Sequence, residues 1–210
     1  MNTIKTKETS VKAAQVISII FHPLLIPVYG MAIIFSAPTL FGYLPFTVKK
    51  LLFFIVLINN VLVPISLLPF LRYRNIISSW TIFKREERTV PLIISTLLYS
   101  TTSYIIFRLP LPVFLKTCIF AVAFVSLIVT LINFRWKISL HSVGAGYLLA
   151  LVLLLSFKMY TPLLGYLISA VFAGGLVMSS SLRLNFHNTH QVWFGFLTGF
   201  FGLTLFMMFF

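Results

Sequence analysis

Acidic side chains are almost missing from this chain. Its 210 residues include Glu8, Glu86 and Glu87, and no Asp at all. Without Asp there is no aspartate to orient a catalytic histidine, and few oxygen ligands remain for a hard cation. Cysteine is single, Cys118, which excludes an internal disulfide framework and a thiolate metal site. Charge of either sign is scarce, at 9% of residues, where a soluble domain carries about 25%. Apolar residues take up the difference. They make up 60% of the chain, Phe alone contributing 23, and the mean hydropathy is +1.05. Such a chain cannot cover a water-facing surface, so composition predicts an integral membrane protein.

The charge that is present has one sign. Lys and Arg number 16, and the net charge is +13. In an apolar chain this excess faces anionic headgroups, so membrane lipids are the expected partners. No RNA- or DNA-binding motif accompanies it, and nucleic acid is not expected. Nothing in the sequence speaks to the oligomeric state.

Residues 1–13 are polar. Seven apolar runs follow, at about 14–36, 51–71, 90–108, 113–134, 142–157, 163–179 and 191–210. Each is read as a membrane span across ~30 Å of hydrocarbon. The expected fold is all-α: a polytopic transmembrane bundle, with 1–13 as a polar segment and 14–210 as one membrane domain. His22-Pro23 and Pro27 are expected to kink the first span. Residues 73–89 are expected to form a short interfacial helix. No short apolar core with a cleavage site opens the chain, so no signal peptide is read and a bacterial cytoplasmic membrane is the expected location.

Three polar islands interrupt the apolar pattern. They are Lys84-Arg85-Glu86-Glu87-Arg88, then Arg135 to His141, then Ser180 to Gln191. Two spans separate each island from the next, and an even number of crossings returns the chain to the same face. All three islands and the N-terminus should therefore share a face, with Trp80, Trp136 and Trp193 as its aromatic belt. That face holds 11 of the 16 Lys and Arg, which leans it towards the cytoplasm. Six of the 11 lie within the islands. If those bind a ligand, five remain on each side and the orientation is open.

The islands contain what phosphoryl transfer requires. Cations must surround the transferred group, because its negative charge is spread over three equatorial oxygens. Lys84, Arg85, Arg88, Lys137 and Arg183 supply them. A nucleophile and an acid are needed as well, and His141, His187 and His190 are candidates for both roles. Ser139, Ser180 and Ser181 can donate hydrogen bonds.

The order and spacing of these residues resemble the type-2 phosphatidic acid phosphatase superfamily of membrane lipid phosphatases. Ile138-Ser139-Leu140-His141 is similar to that family's Pro-Ser-Gly-His motif, keeping the Ser and the His. Ser180-Ser181, five residues, His187, three residues and Gln191 is similar to its Ser-Arg, His, Asp motif, and Val192 and Gly195 fit the continuation. Lys84, Arg88 and Pro91 look like a compressed first motif. The resemblance covers about residues 80–200. It implies a six-helix-type phosphatase core and hydrolysis of a lipid phosphate or polyprenyl diphosphate without metal or cofactor. It also implies His187 as nucleophile, His141 as leaving-group acid, Gln191 as the partner of His187, and Lys84, Arg88, Ser139, Ser181 and Arg183 as phosphate ligands. Four positions depart from the pattern. Ser181 stands where the family has Arg, Gln191 where it has Asp, and Ile138 and Leu140 where it has Pro and Gly. A catalytically impaired relative that binds a phospholipid headgroup or a membrane partner is therefore the alternative.

Plainer readings stand beside these. His22 reads as a packing or capping residue of a kinked helix, and His190 as the start of the last one. Arg85 reads as a helix-surface ion pair. Arg135 and Lys137, flanking Trp136, read as headgroup anchors, with a ligand role equally open for Lys137. His187 and His190 are spaced to share a metal, but the shortage of acids makes a metal site unexpected.

Overall fold

A computed structural model of the protein describes residues 2–79, 82 and 84–209, with side chains from residue 10 onward. Trp80, one member of the expected belt, lies outside the described residues. The described chain is all-helical. The helices are α1 (Asn2–Ile20), α2 (Ile26–Ser36), α3 (Phe46–Leu57), α4 (Val63–Tyr73), α5 (Arg85–Phe107), α6 (Val113–Asn133), α7 (Leu140–Lys158), α8 (Leu164–Arg183) and α9 (Thr189–Phe209). A π-helical segment, Ile58–Leu62, joins α3 to α4. Seven stretches are long and apolar enough to cross a membrane: Ser10–Ser36, Phe46–Tyr73, and α5 to α9 individually. The protein is a polytopic transmembrane bundle.

α7 is the central element, with Ala150, Leu151, Val152 and Leu155 all but inaccessible. It packs most closely on α9. Any Cβ at Gly199 would overlap the Val143 carbonyl, and any Cβ at Gly146 would overlap the Phe196 carbonyl. The two backbones therefore touch, as small residues allow between helices in lipid. Gly195 and Gly199 lie on the same face of α9, as their spacing of four predicts.

The first span differs from the expected kinked helix. α1 ends at Ile20, a 3-10 turn covers Pro23–Leu25, and α2 starts afresh at Ile26. Pro23 and Pro27 each occupy a first-turn position, where a missing N–H costs nothing. Ser18 bonds His141 at one end of the bundle, and Tyr166 donates to Ser36 at the other, 3.2 Å away. Residues 18–36 thus cover the thickness, while Ser10 remains at the first end, bonded to Arg183.

The described residues of 73–89 do not form a separate interfacial helix. The chain turns at Asn75 in the left-handed region, φ 56°, and α5 runs unbroken from Arg85 to Phe107. Glu86 and Glu87 in its first turn suit the positive end of the helix dipole. That favours joining the island to the span rather than setting it apart.

The islands meet at one end. Arg85 donates to the Phe134 carbonyl at 3.0 Å, and Arg88 reaches the Ile138 carbonyl at 3.5 Å. The Ser139 amide donates to the Gln191 carbonyl at 3.4 Å.

Candidate functional site

At that end lies a cavity of about 450 Å³, in the range of small-molecule sites. Ser18, His22, Arg88, His141 and His187 border its polar end. Among the described residues no carboxylate lines it. Leu67, Leu68, Val122, Val125 and Val129 form an apolar wall further in.

His187 is held from below by α9. α8 ends at Arg183, and the chain turns away at Asn185, whose φ of 52° is the left-handed conformation that Asn tolerates. α9 then starts with a reciprocal cap. The Gln191 amide donates to Asn188 Oδ1 at 2.9 Å, and the Asn188 amide donates to Gln191 Oε1 at 3.1 Å. The same Oε1 lies 3.2 Å from His187 Nδ1. An oxygen already accepting a backbone N–H can only accept again. Nδ1 therefore carries the hydrogen in the neutral ring, and Nε2 keeps its lone pair. His187 is buried, at 7% exposure. Burial, then the positive charges of Arg88 and Lys137, push its pKa down to about 3, with the Gln191 bond acting the other way. At neutral pH it is an uncharged imidazole beside two cations.

Gly195 brings the second island against this turn. A Cβ there would lie 2.7 Å from the Ser139 carbonyl. Ser139 is fully buried and caps α7. Its hydroxyl lies 2.9 Å from that of Ser142 and accepts the Ser142 amide at 3.4 Å. His141 follows in the first turn. Its Nε2 lies 3.1 Å from the Ser18 carbonyl and 3.0 Å from the Ser18 hydroxyl. A carbonyl can only accept, so Nε2 carries the hydrogen and donates it to Ser18.

Arg88 is one turn into α5 and points inward. Its Nε donates to the Ile82 carbonyl at 2.8 Å. Lys137 is half-buried next to it, and burial together with the Arg88 charge lowers its pKa. The headgroup-anchor reading of Lys137 is thus incomplete, because its charge reaches His187.

The structure leaves other expected phosphate ligands outside the cavity. Lys84 is 72% exposed and pairs with Glu87 at 3.6 Å, while Glu87 also accepts from the Ser78 amide and hydroxyl at 2.9 Å each. That acid latches the loop to α5 and draws Lys84 with it. Arg183 is exposed and bonds Ser10. Ser181 is buried on α8 and Ser139 is engaged by its cap; neither borders the cavity. His190 is exposed on α9.

Ser18 escaped sequence reasoning, and His22, read as a capping residue, does cap but also reaches the cavity. Ser18 holds His141. His22 borders the cavity with its ring edge-on to His141, 6.1 Å between centroids, and its Nδ1 accepts from the Leu24 amide at 3.3 Å. The His-Pro pair signals a cap, but only the fold brings it 119 residues along the chain to His141. Among the described residues no three His, Cys or acidic side chains gather as a metal site would require. Searched against family models, curated proteins and solved structures, the chain finds no match to any of them.

Proposed function

We propose that this protein hydrolyses a lipid phosphate or polyprenyl diphosphate through His187, as a divergent relative of the type-2 phosphatidic acid phosphatases, in a bacterial cytoplasmic membrane. The observation that carries the reading is the state of His187. It is a buried, uncharged imidazole beside Arg88 and Lys137, and among the described residues its Nε2 has no partner and no carboxylate lines the cavity that it borders. That is what an attack on phosphorus requires, since a protonated ring has no lone pair and unbalanced anions would repel the substrate.

In the first step Nε2 attacks the terminal phosphorus, a P–N bond forms, and the P–O bond to the leaving group breaks, which is the lipid alcohol of a lipid phosphate or the polyprenyl monophosphate of a diphosphate. The departing oxygen takes a proton from His141, which acts as the imidazolium, turns from Ser18 for that purpose and is left as the neutral ring. In the second step water attacks phosphorus and the P–N bond breaks. Inorganic phosphate leaves, and the proton of the water returns to His141. Arg88 and Lys137 balance the charge on the phosphoryl oxygens throughout.

A second reading is favoured by Gln191. It cannot stabilise a charged imidazolium as a carboxylate does, so the same pocket suits a non-catalytic binder of lipid headgroups. Phosphate release from short-chain phosphatidate and from a short polyprenyl diphosphate, by purified protein and by His187→Ala, separates the two. Release that disappears in the variant supports the hydrolase. Equal background from both proteins, with retained binding, supports the binder.

A further inference from the structure

The cavity continues well beyond the polar end. From Arg88 to Tyr99, both of which border it, α5 rises ~16 Å at 1.5 Å per residue. The walls over that distance are mainly apolar, with Ser95 and Ser126 among them, and the far end carries two tyrosines. Tyr147 closes it with a fixed ring, its hydroxyl donating to the Cys118 carbonyl at 2.8 Å. Tyr99 is nine-tenths buried, at 9% exposure, and its hydroxyl has no protein partner among the described residues. Asn60 lies beyond it on the π-helical segment, accepting from Thr102 at 2.7 Å. Tyr99, Tyr147 and Asn60 border a further space of about 20 Å³, enough for one water molecule.

We propose that this cavity measures the length of a single hydrocarbon chain. A phosphorylated amphiphile sets its phosphate at Arg88 and His187, and its chain runs inward to a polar stop at Tyr99 and Asn60. An extended chain advances about 1.2 Å per bond, as three bonds in ~3.5 Å of extended polypeptide show. The fitting chain therefore has roughly a dozen carbons. A shorter chain leaves apolar wall uncovered. A longer one must press hydrocarbon against the unpaired Tyr99 hydroxyl and on towards Asn60, and burying a polar group without a partner is penalised. The head is fixed by charge complementarity, since the cavity borders Arg88 and, among the described residues, no acid. The proposal rests on reading the Arg88–His187 end as a phosphate site. It does not require turnover.

The test is displacement of a fluorescent alkyl phosphate from the full-length protein in detergent. Unlabelled alkyl phosphates of eight to eighteen carbons compete at equal mole fraction in the micelle, with the matching alcohols in parallel. An optimum near twelve carbons is expected, falling several-fold by sixteen, and the alcohols should compete poorly at every length. Tyr99→Ala should move the optimum to longer chains and Val122→Phe to shorter ones. Affinity that rises without a break to eighteen carbons would overturn the gauge, as would one optimum shared by the native protein and both variants. If the optimum holds while phosphate release is absent, the hydrolase reading fails and the gauge stands. Alcohols that compete as well as phosphates would remove the phosphate site beneath both.

Discussion

The side-chain oxygen of Gln191 accepts the Asn188 amide and faces the ring nitrogen of His187, 3.2 Å away. Part of this was legible in sequence. Asn-x-x-Gln ahead of an apolar run is a helix-start signal, and His187 precedes it by one residue. The substitution that probes it is Gln191→Glu, which keeps the length and adds the missing charge. If His187 is the nucleophile, hydrolysis should rise about tenfold or more, because a carboxylate stabilises the imidazolium that develops. Phosphate release at saturating short-chain phosphatidate reads it. The histidine also links stability to pH. Its folded pKa of about 3 lies below the ordinary 6.5. Between those values the unfolded chain takes up a proton that the folded protein refuses. Stability should be complete above pH 6.5 and fall as pH drops towards 3. The melting temperature of His187→Gln in detergent should fall less over that window than that of the native protein. Parallel profiles would place the titration elsewhere.

Among the elements, α7 and α9 form the rigid frame that carries Ser139, His141, His187 and Gln191. Their contact depends on Gly146 and Gly199, where there is no room for a Cβ. Gly199→Ala should separate them at a cost of about 1–3 kcal/mol, as overpacking does. Chemical denaturation in mixed micelles measures it, and Gly175→Ala is the control, since that position is open within 4 Å. The spans themselves were legible because twenty apolar residues have few alternatives. The boundaries within them were not. A single α5 and a broken first span depend on where Glu87 and Ser18 find partners, and those partners, Ser78 and His141, are set by tertiary packing. Lys84 shows the same limit. Its spacing suits a phosphate ligand, yet Glu87, three residues on, holds it in solvent.

Across the whole molecule, the even count of spans between islands correctly anticipated that they share an end. Hydrogen bonds from Arg85 to Phe134, from Ser139 to Gln191 and from Arg183 to Ser10 join them there. The cavity could not have been read from sequence, because its wall draws single residues from elements far apart in the chain. It gives the protein an amphipathic interior, with cations and imidazoles at one end and hydrocarbon behind them. A phosphorylated lipid has that same layout. The central claim is a covalent step at His187, and the most direct measurement is to catch it. Protein mixed with substrate labelled in its phosphate, quenched in alkali and digested, should carry label on the peptide containing His187, lost on acid treatment as a P–N bond requires. The account predicts that label in the native protein and none in His187→Ala. Label at another residue, or phosphate released at an unchanged rate by His187→Ala, would contradict it.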